Sequence, residues 1–190
     1  MIGVSEDPRV YPVSEDSMLL LKAVEASRGK VLDMCAGTGV VGLNAAKFAD
    51  EVTLVDINEY ALNLINLNAS KNNIDNIRVI KSDLFSELEN EKFDVIFMNP
   101  PYLPGNASTS DYLDIATIGG KEGHEFTERF VLEAKKHLEP GGMIFMVLST
   151  KYNTEKVYKA MRSVGLSYRV IDSESFFFEK LILIEAYSEG

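Results

Sequence analysis

The sequence predicts an α/β protein: a seven-stranded, mostly parallel, doubly wound sheet that closes with an antiparallel hairpin at its carboxyl end. Three observations predict it. Short, nearly continuous apolar runs alternate with longer segments of helical spacing, which is the pattern of βαβ units. The first run passes directly into a glycine-rich turn. The last two runs lie too close together for a crossover helix, so they pair antiparallel.

Taken in order, residues 1–29 form an arm and a helix ahead of the sheet, with Ser14–Ser27 helical and Ser14 or Asp16 as its cap. Lys30–Met34, Glu51–Val55, Ile77–Ile80, Phe93–Met98 and Met143–Leu148 are strands, because each is short, apolar at nearly every position and bounded by turn residues. Such continuous apolarity belongs to a sheet covered on both faces. Val40–Ala49 is the helix after the first strand. Leu62, Ile65 and Ala69 make an apolar stripe after the second, and Phe126, Phe130, Val131, Ala134 and Leu138 make another before the fifth. Leu166–Ile171 and Lys180–Tyr187 form the closing hairpin, turning around Ser173–Phe177. No repeat, low-complexity tract or linker divides the chain, so residues 1–190 are read as one domain.

Composition narrows the function. Asp and Glu number 29 against 19 Lys and Arg, a formal charge of −10 that repels polyanions and makes nucleic acid an unfavoured partner. The loose set Lys151, Lys156, Lys159 and Arg162 reads as a solvated helix face. A single cysteine excludes an intrachain disulfide, and no Cys/His set has metal-ligand spacing, so no metal site is expected. No apolar run approaches the ~18 residues of a membrane span, and Met1–Arg9 carries no apolar leader, so a cytoplasmic protein without a membrane partner is expected.

The chemistry begins in Asp33-Met34-Cys35-Ala36-Gly37-Thr38-Gly39-Val40-Val41-Gly42. Gly37 and Gly39, with Thr38 between them, allow a sharp turn and a close approach of a ligand to the main chain, and the following helix points its N–H groups at that turn. A nucleoside-type cofactor is implied. Gly37, Gly39 and Gly42 also satisfy the dinucleotide spacing G-x-G-x-x-G. Asp33 favours S-adenosylmethionine instead, since a carboxylate at that strand end repels a pyrophosphate and attracts a cationic amino-acid moiety. Asp56 ends the second strand, where a ribose-binding acid serves either cofactor. Asp83, after the third, can accept a hydrogen bond from an adenine amino group, with Leu84 supplying an apolar face and a backbone N–H. Gly42 is read as a helix–sheet packing glycine and Cys35 as a small apolar filler.

The fourth strand ends in Asn99-Pro100-Pro101-Tyr102. The prolines stop the ladder and hold the residue before each of them extended. One reading is a strand stop with Tyr102 as cover. The other is a rigid claw that offers the Asn99 side-chain oxygen and the Pro100 carbonyl as two acceptors, with the Tyr102 ring beside a flat group. A planar NH2 fits it. Such a nitrogen is a poor nucleophile, as the ~18–20 kcal/mol rotation barrier of an amide shows. With both hydrogens held, attack on a sulfonium builds positive charge on nitrogen and strengthens both bonds, so no strong base is needed.

Together these residues resemble the amino-methyltransferases of planar nitrogens, which have the class I S-adenosylmethionine-dependent, Rossmann-like fold with a reversed last strand. Tyr11-Pro12-Val13-Ser14-Glu15-Asp16-Ser17-Met18-Leu19-Leu20 and Ile118-Gly119-Gly120-Lys121-Glu122-Gly123 are similar to segments of the HemK-like glutamine methyltransferases, in the short archaeal and eukaryotic branch. That resemblance implies methylation of the glutamine amide in the Gly-Gly-Gln motif of class 1 release factors. It implies Ser17, Asp33, Gly37, Thr38, Gly39, Asp56, Asp83, Leu84 and Asn99 as the S-adenosylmethionine site, with Asn99, Pro100 and Tyr102 catalytic. It also implies a small zinc-binding activator subunit at the edge of the third strand, by Ile77 and Val79.

Two other readings compete: methylation of an exocyclic amino group of adenine or guanine in DNA or RNA, and a non-catalytic cofactor-binding scaffold. The acidic surface opposes the first, and the intact claw opposes the second. Leu103–Gly123 is read as a long loop, either a lid with Asp111, Tyr112 and Asp114 touching substrate or a simple surface excursion. His124 and His137 are read as capping or surface residues.

Overall fold

The computed structural model describes residues 2–107 and 111–188. Its main sheet has seven strands: β1 (Lys30–Met34), β2 (Glu51–Asp56), β3 (Ile77–Lys81), β4 (Phe93–Met98), β7 (Leu138–Ser149), β8 (Ser167–Phe176) and β9 (Glu179–Tyr187). Their spatial order is β3-β2-β1-β4-β7-β9-β8, and β9 alone runs against its neighbours. The expected mixed sheet with its reversed carboxyl-terminal strand is therefore present. A separate two-stranded sheet pairs β5 (Leu103–Pro104) with β6 (Ile118–Gly120).

Alternation along the central strands builds a core on each face. Leu32 and Met34 of β1, Ile96 and Met98 of β4, and Ile144 and Met146 of β7 pack on one side under α5 (Glu125–Ala134) and α6 (Thr154–Ser163). Val31, Val95, Phe97, Phe145 and Val147 pack on the other side against α1 (Glu15–Leu21), α2 (Val40–Ala45) and α3 (Glu59–Lys71). Each fully buried side chain of this size contributes roughly 1.5–3 kcal/mol of apolar transfer, which makes the centre of the sheet its rigid part. The carboxyl ends of β1, β2 and β4 are thereby fixed as a platform.

Several boundaries differ from the sequence reading. The helix expected over Ser14–Ser27 is α1 followed by a short 3-10 turn at Val24–Ala26; Ser14 holds its cap position, but its hydroxyl bonds Glu15 instead of a backbone N–H. α2 ends at Ala45, not Ala49. β7 begins at Leu138, because Gly141 at φ +77° lets Pro140–Gly142 bulge while Leu138 still pairs with Phe93. The closing hairpin is longer than expected: the polar stretch Asp172–Ser175 belongs to β8, and the turn is Phe177–Phe178. An edge strand tolerates such polarity because one of its sides faces solvent. Leu103–Gly123 is not a structureless loop, since β5, α4 (Tyr112–Thr117) and β6 occupy much of it; its residues 108–110 lie outside the described residues. No helix among the described residues is long and apolar enough to cross a membrane.

Candidate active site

A cavity of roughly 330 Å³ opens at the carboxyl ends of β1, β2 and β4. Ser17, Asp33, Gly37, Thr38, Asp56, Asp83, Leu84, Asn99, Pro100 and Tyr102 all line it, so the structure brings these sequence-predicted residues to one place. Among the described residues four acids line it, Asp16, Asp33, Asp56 and Asp83, while no Lys, Arg or His does. A cation is the ligand such a lining favours.

The glycine turn is made by a run of left-handed residues, Cys35, Gly37 and Gly39 at φ +60°, +53° and +80°. Three of its N–H groups are already taken. Gly37 donates to Asp56 Oδ2 at 2.9 Å, Gly39 to the Ala36 carbonyl at 2.8 Å, and Gly42 to Asp33 Oδ2 at 2.7 Å. Those three donors are closed to a pyrophosphate, which weighs against the dinucleotide reading of the same glycines. Gly39 is a correction to the expected site: it does not line the cavity, and a Cβ there would stand 3.0 Å from Ile65 Cγ1. Its role is the turn and its packing. Gly42 is the packing glycine expected, since a Cβ would meet Leu54 at 2.6 Å and Asp33 at 2.9 Å.

The acids differ in setting. Burial pushes the Asp33 carboxyl up to about 7, against the lowering effect of the Gly42 N–H, and the charge of Asp56 adds to the rise. Burial also raises Asp56, against the N–H groups of Asn58 and Gly37. Asp83 stands at the exposed rim and accepts from Arg129 Nη2 at 3.1 Å. That solvated pair is worth little and is readily exchanged for another donor. Leu84, at φ +48° and buried, turns the chain beneath Asp83. Cys35 is held far from thiolate chemistry by burial and by Asp56, Asp33 and Asp83.

At the end of β4, Pro100 and Pro101 are buried and Tyr102 is half-buried. Asn99 Oδ1 is buried and accepts no hydrogen bond. Such an acceptor costs about 1–3 kcal/mol until a donor arrives. The claw is braced from behind: Tyr102 N donates to the Thr117 carbonyl at 3.0 Å, and a Cβ on Gly119 or Gly123 would strike Pro101 O at 2.4 Å or Tyr102 O at 2.6 Å. Gly119 and Gly123 thus let β6 and the turn after it lie directly on the claw. From the front, Asp16 Oδ2 accepts from Tyr102 OH at 3.2 Å and from Tyr11 OH at 3.0 Å, while its Oδ1 accepts from Ser17 N at 2.6 Å.

A family model described as the methyltransferase small domain matches residues 10–177. The chain belongs to that family. A Methanocaldococcus jannaschii protein named as a protein N5-glutamine methyltransferase is 37% identical over 95% of this methyltransferase and 92% of its own length. Human Methyltransferase HEMK2 is 31% identical over 83% of the chain and 79% of its own length. The release factor glutamine methyltransferase of Clostridium acetobutylicum is 35% identical, but the chain covers only 45% of that protein. Among solved structures, a chain of the E. cuniculi Mtq2–Trm112 complex, responsible for methylation of the eRF1 translation termination factor, superposes with TM-score 0.76 at 23% identity, covering 95% of this chain and 99% of that one. That likeness extends the match of the whole fold.

Sequence reasoning missed part of this methyltransferase's site and misplaced another part. Asp16 was weighed only as a cap, yet it is a buried carboxylate joining the arm to the claw. Its signal was the pairing of Tyr11 and Asp16 in an arm that ends beside Ser17. Asp111 does not line the cavity; it caps α4 by accepting from Leu113 N at 2.9 Å. Asp114 does not line the cavity, whereas Tyr112 does, with its ring 5.1 Å from that of Tyr60 in an edge-to-face pair. His124 occupies the position before α5 with its ring buried between Glu122 and Glu128, and His137 stacks on Phe85 at 4.2 Å.

Proposed function

We propose that the chain is an S-adenosylmethionine-dependent N-methyltransferase whose acceptor is the glutamine side-chain amide of the Gly-Gly-Gln motif in a class 1 release factor. The observation that carries this reading is Asn99 Oδ1, a buried acceptor without a donor at the proline-stiffened end of β4, in a cavity lined by acids. The names of the archaeal and clostridial relatives point to the same acceptor. The residues fit the cofactor: a nucleoside suits a turn in which Gly37, Gly39 and Gly42 N–H are already satisfied, its ribose suits Asp56, and its cationic end suits Asp33.

In this reading Asp33 faces the amino-acid end, Asp56 the ribose, and Asp83 with Leu84 the adenine, while Ser17 closes over the site. When bound, S-adenosylmethionine supplies an electrophilic methyl group on sulfur. Asn99 Oδ1 and the Pro100 carbonyl hold the two amide hydrogens, so the nitrogen lone pair is turned to the methyl and the positive charge arising on nitrogen is met by acceptors already in place. The methylated nitrogen then loses one of its protons to solvent. Tyr102 flanks the planar amide. The formal charge of −10 opposes the nucleic-acid alternative. All 190 residues act as one catalytic domain in a cytoplasmic setting.

The test is incubation with methyl-labelled S-adenosylmethionine and purified release factor, beside a version whose Gly-Gly-Gln glutamine is replaced. Label is expected on the first alone; label on both refutes the acceptor. A small zinc-binding subunit is proposed as partner at β3, which is an edge of the sheet with Ile77 and Val79 half-buried there. Co-expression is expected to give a heterodimer more active than the single chain, and a monomer already fully active refutes the partner.

A further inference from the structure

Asp16 has no part in the transfer just described, yet its carboxylate is buried and lies where two halves of the site meet. Its Oδ1 accepts from Ser17 N at 2.6 Å and from Ser17 Oγ at 3.3 Å, on the arm side. Its Oδ2 accepts from Tyr11 OH at 3.0 Å, also in the arm, and from Tyr102 OH at 3.2 Å, in the claw. The arm on the other side of Tyr11 is anchored rather than loose. Asn58 Nδ2 donates to the Arg9 carbonyl at 2.8 Å, and Asn68 Nδ2 donates to both the Ser5 and Thr38 carbonyls, the latter in the glycine turn. A displacement of Tyr102 is therefore felt at Ser17, and through the arm at the turn.

We propose that Asp16 is a positioning residue that couples the amide seat to the cofactor side of the cavity, its Oδ1 held by Ser17 and its Oδ2 shared between Tyr11 in the arm and Tyr102 in the claw. The inference rests on the proposed reading of the claw as that seat. Both phenols remain donors at neutral pH, since burial and the charge of Asp16 hold Tyr11 and Tyr102 well above the usual phenol range. Hydrogen bonds to a charged acceptor are roughly twice as strong as neutral ones, so the carboxylate and not merely its shape carries the coupling.

The experiment is a double-mutant cycle read by calorimetric titration of S-adenosylhomocysteine, which needs no methyl acceptor. Tyr102→Phe keeps the ring and removes the hydroxyl. It is expected to weaken S-adenosylhomocysteine several-fold when Asp16 is present and to have no effect in Asp16→Ala, which by itself weakens binding about tenfold. Should Asp16→Ala fail to fold, Asp16→Asn serves in its place: it keeps an acceptor for Ser17 N, and the effect of Tyr102→Phe should shrink at least threefold in that background. Equal effects of Tyr102→Phe in both backgrounds, or none in either, overturn the proposal. A wild type that shows the coupling but leaves the release factor unlabelled sinks the acceptor assignment and leaves the role of Asp16 standing. A wild type that binds no S-adenosylhomocysteine overturns both.

Discussion

Replacing Asn99 with leucine separates the cost of the claw from its use. Leucine has the branched outline of asparagine, though it is bulkier, and carries no polar atom, so Asn99→Leu deletes a buried acceptor that has no donor in the free protein. Leaving such a group unpaired costs about 1–3 kcal/mol, and removing it returns part of that to the folded state. For a chain of this length each kcal/mol moves Tm by about 2–4 °C, so a Tm rise of that size is expected by differential scanning calorimetry. Activity should move the other way. A hydrogen bond to a developing charge is worth roughly 1.5–3 kcal/mol, and at about 1.36 kcal/mol per tenfold its loss lowers kcat by roughly 10- to 150-fold. The assay is the initial rate of methyl transfer at saturating release factor and S-adenosylmethionine. A variant less stable than wild type that keeps its kcat would falsify the reasoning, because the oxygen would then be supporting the fold and not awaiting a donor.

Three further outcomes follow from the same geometry. Asp33 titrates near 3.9 in an unfolded chain but at about 7 when folded, so between those values the native state keeps a proton that the unfolded state has released. Stability from this group is therefore expected to fall as pH rises from ~4 to ~7 and to be flat above, a slope that Asp33→Asn should remove from urea midpoints; an identical slope in the variant refutes it. Affinity for S-adenosylhomocysteine, which retains the ammonium, should rise as pH passes through about 7, where folded Asp33 ionises, in wild type only, as calorimetry at pH 6 and pH 8 would show. Gly119→Ala puts a methyl 2.4 Å from the Pro101 and Gly123 carbonyl oxygens, both backbone, and should cost about 1–3 kcal/mol and most of kcat. Gly105→Ala, whose Cβ would sit at an ordinary 3.4 Å from Ile118, is the control that should leave kcat within twofold.

The sheet was readable because its signals are local. β1 and β4 have the expected limits, since continuous apolar runs flanked by turn residues leave one solution for a strand buried on both faces. Where the tertiary setting decides, the sequence was mute. Asp172–Ser175 is polar and becomes strand only because β9 supplies a ladder for it, and the start of β7 survives Pro140 and Gly141 only because Phe93 pairs with Leu138 across the bulge. The site divides in the same way. Asp33, Asp56 and Asp83 end or follow successive strands, and position in the βα pattern placed them in one crevice. The role of Asp16 depends on a contact spanning 86 residues, from the arm to Tyr102, which no spacing rule encodes. Gly39 misled for the converse reason: its positive φ is visible as glycine, but whether the space beside it holds a ligand or Ile65 is a question of packing.

The two ends of the cavity divide the electrostatic work of the proposed reaction. Carboxylates stand at the cofactor end and accept backbone N–H groups, which keeps Asp33 and Asp56 oriented while a cation approaches. At the acceptor end the chain uses neutral oxygens, Asn99 Oδ1 and the Pro100 carbonyl. A carboxylate there would gain more from a cationic nitrogen, but it would also bind a lysine ammonium, whose lone pair is occupied by a proton. Neutral acceptors select a group that arrives uncharged with two N–H bonds and becomes positive only as the methyl transfers, so their stabilisation is greatest in the transition state. Asn99→Asp turns this into a measurement: it should lower turnover of the release-factor glutamine and make a peptide with lysine in its place bind as an inhibitor, read by initial rates of methyl transfer. Unchanged glutamine turnover with no inhibition by the lysine peptide would mean that the charge of the seat does not decide which nitrogen is held.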